Sequence, residues 1–224
     1  MADVEAMKQR AALRVVEEVD DGMVLGLGSG STAAHAIREI GERVSAGLDV
    51  VGVPTSRQSA AIARDAGVPI RCLQDVSQVD LAIDGADQVA GTALIKGGGG
   101  AHAREKVVDA AADRFAVIVD STKHTDTLDR PIPLEILPDA LPYVATQVQE
   151  LGGAPTLRSD TLGGPTLTDN GNVLLDCAFG PINTPESLGT QLATLPGVVE
   201  HGIFHDMADV VYVATAEAVE VIGR

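Results

Sequence analysis

The sequence predicts an α/β fold, with a doubly wound, mostly parallel sheet and a second, smaller α+β domain. In the first half, short apolar runs alternate with amphipathic runs, as expected when strands alternate with helices. Aromatic residues make up only 2% of the 224 residues, so the core must consist of Val, Leu, Ile and Ala, which suits helices packed on parallel strands. Near residue 129 a proline-rich stretch, RPIPLEILPDALP, interrupts the alternation and marks a boundary.

The elements of the larger domain follow from these two kinds of run. Apolar runs bounded by glycine or polar residues, such as MVLGLG at 23–28, predict buried strands. Amphipathic runs predict helices. The run at 56–67 also ends at Gly67, and glycine commonly terminates a helix. Strands are thus predicted at 23–28, 48–53, 69–73, 79–83, 93–95 and 114–120, and helices at 1–19, 31–44, 56–67 and 103–113.

A different pattern follows the proline-rich stretch. Helices are predicted at 143–151 and 184–194, DNGN within 168–172 predicts a hairpin turn, and VLLDCAF predicts a strand. The last segment, ADVVYVATAEAVEVIG, returns to the pattern of the first half and predicts a strand followed by a helix. The predicted domains are therefore residues 1–128 together with 207–224, and residues 129–206.

The charge balance restricts the possible partners. A formal net charge of -16 argues against nucleic acid and anionic membranes, because both would repel the surface. The composition would fit a moderately acidic cytosolic protein, but only four of the 16 basic residues are lysine. We therefore expect a host with molar internal salt, where the Debye length is about 3 Å and an acidic surface is well screened.

The first helix, the length of the apolar runs and the cysteines together predict a reducing, cytoplasmic location. The first helix carries acidic residues and lacks the apolar core of a signal peptide. The apolar runs fall short of the roughly 20 residues that a membrane span needs, so no membrane partner is expected. Cys72 and Cys177 lie far apart within apolar runs, which predicts reduced core thiols rather than a disulfide.

The first candidate site is a glycine-rich turn between a strand and a helix, LGLGSGSTAAHAI at 25–37. Backbone N–H groups at a helix N-terminus bind anions, and Ser29, Ser31 and Thr32 add hydroxyl groups. A P-loop would need a Gly-Lys-Ser/Thr sequence, and a dinucleotide site would need a third glycine and a carboxylate at the end of the second strand. The expected ligand is a phosphate, and the alternative is a tight turn whose serine caps the helix.

The second candidate site is VDLAIDGADQV at 79–89. Its apolar strand would deliver Asp84 and Asp87 at the carboxyl end, where open α/β sheets bind ligands. The small residues between them, Gly85 and Ala86, leave room for a ligand. The pair could bind a metal, transfer protons or accept hydrogen bonds from sugar hydroxyls, and the alternative is aspartates that cap a turn.

The third candidate site is LIKGGGGAHAREK at 94–106. Lys96 is expected to end a strand at the same sheet edge as the two aspartates, and the glycines form a turn before the helix that carries Glu105. A cation that polarises a carbonyl and a carboxylate that moves a proton together favour an isomerase. The alternative for a glutamate in REK is a solvated helix face.

Six motifs occur in a fixed order along the chain: GLGSGSTA, VGVPTS, IDGADQV, LIKGGGGAHAREK, VDSTK and LTDNGN. Together they closely resemble the type A family of ribose-5-phosphate isomerases, over essentially the whole chain. The resemblance implies a Rossmann-like large domain, a smaller α+β domain, a homodimer or homotetramer, and no metal or other cofactor. It also implies interconversion of two sugar phosphates, D-ribose 5-phosphate and D-ribulose 5-phosphate, in the pentose phosphate pathway.

The resemblance assigns roles to residues of the three candidate sites. Glu105 matches the family's general base, and Lys96, Asp84 and Asp87 are expected to take part in catalysis with it. Gln88 stands where the family commonly has Glu, His102 where an apolar residue is common, and Ser29 where Thr is often found. These differences concern binding rather than the reaction. The implied substrate-binding residues are Ser29, Gly30, Ser31, Thr32, Asp84, Gly85, Ala86, Asp87, Lys96, Gly97, Gly98, Gly99, Lys123 and Lys8.

Two other classes of function compete with the isomerase. A sugar-phosphate-sensing regulator could use a related fold, but residues 1–20 hold no basic DNA-binding module and a sensor would not need both Lys96 and Glu105. A CoA transferase on a related fold would use a glutamate as nucleophile, but it would not need the sugar-phosphate motifs.

Overall fold

Helices and strands alternate along much of the chain in a computed structural model, which describes residues 3–223. The α-helices in this range are α1 (Val4–Val16), α2 (Ser31–Ser45), α3 (Arg57–Asp65), α4 (His102–Ala110), α5 (Leu141–Glu150) and α6 (Pro185–Ala193). The strands are β1 (Val24–Leu27), β2 (Val51–Pro54), β3 (Val79–Asp84), β4 (Gln88–Ala90), β5 (Ala93–Ile95), β6 (Ala112–Asp120), β7 (Ile132–Ile136), β8 (Ala154–Leu157), β9 (Val173–Ala178), β10 (Val198–His201), β11 (Ile203–Phe204), β12 (Val210–Ala214) and β13 (Val219–Gly223).

The chain divides into two compact units, which we describe separately. The first unit holds residues 3–86, 104–124 and 207–223 of the described range, and the second holds residues 87–103 and 125–206. The chain therefore passes between the units after Ala86, Ala103, His124 and Asp206. The segment 87–103, which our predicted boundaries include in the large domain, packs with the second unit.

The first unit contains a six-stranded sheet in the order β13-β12-β6-β3-β1-β2. Every neighbouring pair from β12 to β2 is parallel, and β13 pairs with β12 in the antiparallel sense. This confirms the predicted mostly parallel sheet. Because β2 and β3 lie on opposite sides of β1, the strand order reverses between β1 and β3, where open α/β sheets bind their ligands.

Aliphatic side chains form the core of this unit, as the low aromatic content predicts. Val15 and Val16 of α1 and Ile37 and Ile40 of α2 belong to the same buried cluster as Leu25 of β1. Both α1 and α3 begin at a capping side chain. The Asp3 carboxylate accepts the amides of Glu5 and Ala6, and Ser56 forms a capping box with Ser59.

The second unit contains two smaller sheets. One is antiparallel with the order β10-β7-β9-β8, and the other has the order β11-β5-β4. The helices α5 and α6 contribute Val144, Val148 and Leu192 to a cluster with Leu134 of β7. The unit therefore matches the predicted α+β class.

The predicted DNGN turn is present between Leu167 and Val173, which form an antiparallel bridge. Its polar side chains point to a buried carboxylate on β7. Glu135 is fully buried, and its Oε1 accepts hydrogen bonds from Asn170 at 2.9 Å and Asn172 at 2.7 Å. The same oxygen accepts a hydrogen bond from the hydroxyl of Thr168 at 3.0 Å. The polar residues of the motif therefore bind the turn to β7.

Two predicted elements are wrong. The segment after β12 forms the strand β13, whereas we predicted a helix, because AVEVIG can pair along the edge of β12. Residues 69–73 do not form a strand; Ile70 makes a single bridge to Gly52, and a 3-10 turn follows at Leu73–Asp75. Short apolar runs of this kind fit several local structures equally well.

The cysteines are both free, but only one lies in the core. Cys177 is buried in β9, and burial raises the pKa of its thiol to about 12. Cys72 is exposed, so its prediction as a core thiol is wrong. Over residues 3–223, no helix is long and apolar enough to cross a membrane.

Candidate active site

The glycine-rich turn and the Asp84 loop meet in the first unit, at the reversal point between β1 and β3. Asp84 is fully buried, and its Oδ1 accepts the backbone amide of Ser29 at 2.9 Å and that of Gly85 at 2.7 Å. The amide of Gly28 also donates to the carbonyl of Ile83, at 2.9 Å. The first candidate site and the Asp84 part of the second are therefore one structure, in which the aspartate carboxylate shapes the glycine-rich turn.

The turn leads directly into the N-terminus of α2. Gly30 caps the helix with a φ of 93°, a left-handed conformation that favours glycine. Its carbonyl accepts the amide of Ala34 at 3.0 Å, whereas Ser31 and Thr32 occupy the first turn, whose amides have no partner within a helix. Ser31 is exposed and Thr32 is half-buried. This arrangement suits an anion such as a phosphate group.

Sequence reasoning missed a cluster of hydroxyl groups beside this turn. The Ser29 hydroxyl lies 2.9 Å from the Thr55 hydroxyl and donates to the Ser56 hydroxyl at 2.6 Å. Thr55 donates in turn to the carbonyl of Leu27 at 3.1 Å, so the cluster ties the ends of β1 and β2 together. The available signal was VGVPTS, which places two hydroxyl residues at the carboxyl end of the second strand.

Lys8, predicted near the phosphate, and Lys123, predicted as a further substrate contact, lie on two other elements of this unit. Lys8, on α1, forms an ion pair with Glu5 at 3.3 Å, and Glu5 also contacts His35 of α2 at 2.7 Å. The hydrogen bond from His35, followed by that from Lys8, lowers the pKa of Glu5. Lys123 is half-buried and ends a 3-10 turn that follows β6.

The helix α4 carries the predicted base. Glu105 is only 5% exposed, so the alternative of a solvated helix face is wrong for this residue. Asp109, one turn later on the same face, is also buried. Asp109 was not predicted as a site residue, although its spacing of four residues from Glu105 was the available signal. In the same helix Val108 packs against Gly26 of β1, where an added Cβ would lie 2.9 Å from the valine.

In the second unit, Lys96 follows β5 and is 2% exposed. Its amide donates to the carbonyl of Gly202 at 2.8 Å, and its ammonium group lies 5.4 Å from the centre of the Phe204 ring. The expected place of Lys96, on the same sheet edge as Asp84, is wrong, because β5 belongs to the three-stranded sheet. Even at this position, a buried ammonium group can stabilise negative charge that develops on a bound ligand.

The four glycines form a closed turn after Lys96. Gly100 donates its amide to the carbonyl of Gly97 at 2.9 Å, and both residues have positive φ. Asp87, the second predicted aspartate, accepts the amide of Gly98 at 2.6 Å. A Cβ at Gly98 would lie 2.5 Å from the Asp87 carboxylate, whereas Gly99 faces open space. The exposed middle of the turn, Gly98 and Gly99, therefore allows close approach of a ligand.

Two of the residues that depart from the family pattern, Gln88 and His102, have structural partners in the second unit. Gln88 is buried, and its side-chain oxygen accepts the amides of Asp129 at 2.8 Å and Arg130 at 2.9 Å. His102 is fully buried, and its Nε2 lies 3.2 Å from the carbonyl oxygen of Glu200. Neither residue belongs to the glycine turn itself, although His102 packs against Gly97.

Each unit thus supplies part of the chemistry that the sequence predicts. The first unit provides an anion-binding helix terminus, an aspartate that shapes the adjoining turn, and a buried glutamate that can transfer protons. The second unit provides a buried ammonium group and glycine amides, which can stabilise an oxyanion. Ala86 and Asp87 are half-buried and lie where the chain passes from the first unit to the second.

Known proteins share both the sequence and the fold. Residues 51–218 match the family model described as ribose 5-phosphate isomerase A (phosphoriboisomerase A). Ribose-5-phosphate isomerase A of Haloarcula marismortui is 59% identical over 97% of this chain and 95% of its own, and that of Natronomonas pharaonis is 56% identical over 97% and 96%. A solved D-ribose-5-phosphate isomerase in complex with phospho-erythronic acid superposes with a TM-score of 0.97 at 40% identity, over 99% of this chain and all of that one. The chain belongs to the ribose-5-phosphate isomerase A family.

Proposed function

We propose that the chain interconverts D-ribose 5-phosphate and D-ribulose 5-phosphate, through an enediolate, in the non-oxidative pentose phosphate pathway. The observation that carries the proposal is the burial of Glu105, which is 5% exposed on α4 in a chain of this family. A carboxylate withdrawn from water is suited to remove a proton from carbon. The solved relative bound to phospho-erythronic acid supports a phosphorylated sugar derivative as the ligand class.

The reaction moves one proton from C2 to C1 of the open-chain sugar and a second proton from the C2 hydroxyl to the C1 oxygen. Glu105 as carboxylate takes the C2 proton and leaves the electron pair in an enediolate. The proton of the C2 hydroxyl passes to the C1 oxygen, and Glu105 returns its proton to C1 as the C2 carbonyl forms. Negative charge grows on the sugar oxygens in this step, and the buried ammonium of Lys96 with the amides of the glycine turn stabilises that charge. These interactions accelerate the step because they are stronger in the transition state than with the bound substrate.

The remaining predicted residues bind and orient the substrate. The amides and hydroxyls around Gly30, Ser31 and Thr32 hold the phosphate group, with Lys8 and Lys123 as further cations. Asp84 and Asp87 accept hydrogen bonds from sugar hydroxyls, and one of them assists opening of the ribose ring. One Asp84 oxygen already accepts two backbone amides, which fixes the carboxylate for this role.

We also propose that the chain is a cytoplasmic homodimer or homotetramer that binds no nucleic acid. The net charge of -16 supports the absence of a nucleic-acid partner, and the metabolic reaction supports the location. The oligomer follows only from the resemblance to the family. Light scattering in molar KCl would give the mass, and a mass equal to that of one chain would contradict the oligomer.

A direct test measures conversion of ribose 5-phosphate to ribulose 5-phosphate by the purified chain, in the presence of a chelator. Glu105→Gln keeps the size of the side chain but removes the base, so kcat should fall by about 10²–10⁴-fold while the substrate still binds. Glu17→Gln, at an exposed position of the first unit, makes the same chemical change and should leave kcat unaltered. Near-normal turnover of Glu105→Gln would reject the assignment.

A further inference from the structure

Arg158, which follows β8 in the second unit, contacts the glycine turn through its guanidinium group. Its Nη1 donates to the carbonyl oxygens of Gly97, at 3.1 Å, and Gly98, at 3.0 Å. The turn is thereby bound on its carbonyl side by a cation from a neighbouring sheet, whereas the Asp87 carboxylate binds it on its amide side. Arg158 was not among the predicted site residues.

The guanidinium group is itself held in place. Asp176 of β9 accepts hydrogen bonds from Nε of Arg158 at 2.8 Å and from Nη2 at 2.5 Å. This two-point pairing fixes the plane of the guanidinium group, and the side chain is only 20% exposed. Nη1 is thus presented to the two carbonyls by the rigid β8–β9 pair.

The fixed carbonyls determine where the amides of the turn point. In a trans peptide the C=O and N–H groups lie on opposite sides, and the peptides that join Gly97 to Gly98 and Gly98 to Gly99 are trans. Since Arg158 holds both carbonyls, the N–H groups of Gly98 and Gly99 are directed away from the guanidinium. Gly98 donates to Asp87, and Gly99 is exposed with open space around it.

We propose that Arg158 is a positioning residue for the isomerase reaction, which orients and polarises the exposed Gly99 amide that stabilises the enediolate. The inference rests on the proposed function. A cation hydrogen-bonded to a carbonyl draws electron density from the same peptide and makes its N–H a stronger donor. The effect is greatest when negative charge develops on the sugar, so Arg158 assists the transition state more than substrate binding.

Arginine is better suited than lysine to this task. The planar guanidinium group can bind Asp176 at two points and still donate to both carbonyls, whereas an ammonium group is a single, flexible point charge. A lysine in this position would contact the carbonyls without a fixed direction. The substitution Arg158→Lys therefore separates the presence of a charge from its orientation.

The experiment compares three kinetic constants in the wild type, Arg158→Ala and Arg158→Lys. These are kcat and KM for ribose 5-phosphate, and the inhibition constant of phospho-erythronic acid, whose carboxylate shares its charge between two oxygens as an enediolate does. We expect Arg158→Ala to lower kcat and to raise that inhibition constant, each by roughly tenfold to 100-fold, with KM changed by less than about threefold. Arg158→Lys should fall between the alanine variant and the wild type.

Arg130→Ala, at an exposed position in the same unit, controls for the loss of one positive charge and should behave as the wild type. Circular dichroism establishes that each variant is folded. The proposal is overturned if a folded Arg158→Ala keeps its kcat and inhibition constant, or if KM and the inhibition constant rise equally. It is also overturned if neither Arg158 variant folds, since Arg158 would then serve the fold alone. A wild type that does not convert ribose 5-phosphate would instead reject the proposed function.

Discussion

At the scale of single residues, the contact between Gly28 and Asp84 shows how closely the site depends on small side chains. Gly28 follows β1 and faces the buried Asp84 carboxylate, and an added Cβ would lie far inside van der Waals contact with that group. The Asp84 carboxylate in turn accepts the Ser29 amide. A single methyl group at position 28 would therefore disturb both the carboxylate and the glycine-rich turn.

We predict that Gly28→Ala lowers kcat/KM for ribose 5-phosphate by about 100-fold, because the displaced Asp84 no longer orients the substrate. Gly223→Ala serves as the control. Position 223 lies in β13, and a Cβ there would meet only the carbonyl oxygen of Asp209 at 3.8 Å, an ordinary contact. If Gly28→Ala had the kinetics of the wild type, the contact between Asp84 and the turn would be unimportant for catalysis.

At the scale of elements, the sequence predicts the alternating strands and helices of the first unit because each carries a clear period and a start or stop signal. Ser56 and Gly67, at the two ends of the predicted third helix, are examples. The prediction fails for β13 and for the sheet that contains β5, because their pairing depends on partners distant in sequence. The Lys96 strand pairs with Ile203 and Phe204, about 110 residues later, and no local pattern reveals this.

In the candidate site, too, some residues could be predicted from local sequence and others could not. The serines, aspartates, Lys96 and Glu105 were predictable from motifs in which several polar residues interrupt small or apolar ones. Arg158 was not, because its role arises from two backbone carbonyls about 60 residues earlier in the chain. Backbone groups are present at every position, so the sequence carries no signal for which of them a side chain will bind.

The contact between α1 and α2 gives a prediction about pH. Hydrogen bonds from His35 and Lys8 lower the pKa of Glu5 below its ordinary value of 4.5. The ionised carboxylate therefore stabilises the folded state fully above pH 4.5, and this stabilisation is lost as the pH falls through the lowered pKa. Glu5→Gln should therefore lower the melting temperature more at about pH 7 than at about pH 3. Glu220→Gln, at an exposed position of β13, controls for the change in net charge. An equal difference in melting temperature at both pH values would contradict the assignment.

At the scale of the whole molecule, charge is the dominant property. The chain carries 32 acidic and 16 basic residues, so its charges repel one another in dilute salt. Arginine supplies most of the basic residues, and several arginines form ion pairs, such as Arg114 with Glu18 at 2.9 Å. That pairing raises the pKa of Arg114. Isolated surface pairs contribute little, so they do not offset the overall repulsion.

We predict that the melting temperature rises when KCl is increased from about 0.1 M to about 2 M, because the Debye length falls from about 10 Å to below about 3 Å and screens the repulsion. Scanning calorimetry at a series of KCl concentrations measures the effect. Sucrose, which is uncharged, should not reproduce the part of the increase that occurs at the lowest salt concentrations. A melting temperature that stayed constant or fell over this range would contradict salt adaptation.

The passage of the chain between its units has a consequence for inheritance. The second unit consists of two separate segments, 87–103 and 125–206, so one exchange of genetic material cannot transfer it intact. Asp84 and Asp87 lie on either side of the first passage, and Lys96 and Glu105 lie on either side of the second. A gene joined at the first passage would take Asp84 and Asp87 from different parents, and one joined at the second passage would do so for Lys96 and Glu105. The relatives match this chain over 97% of its length, so the similarity extends across both passages.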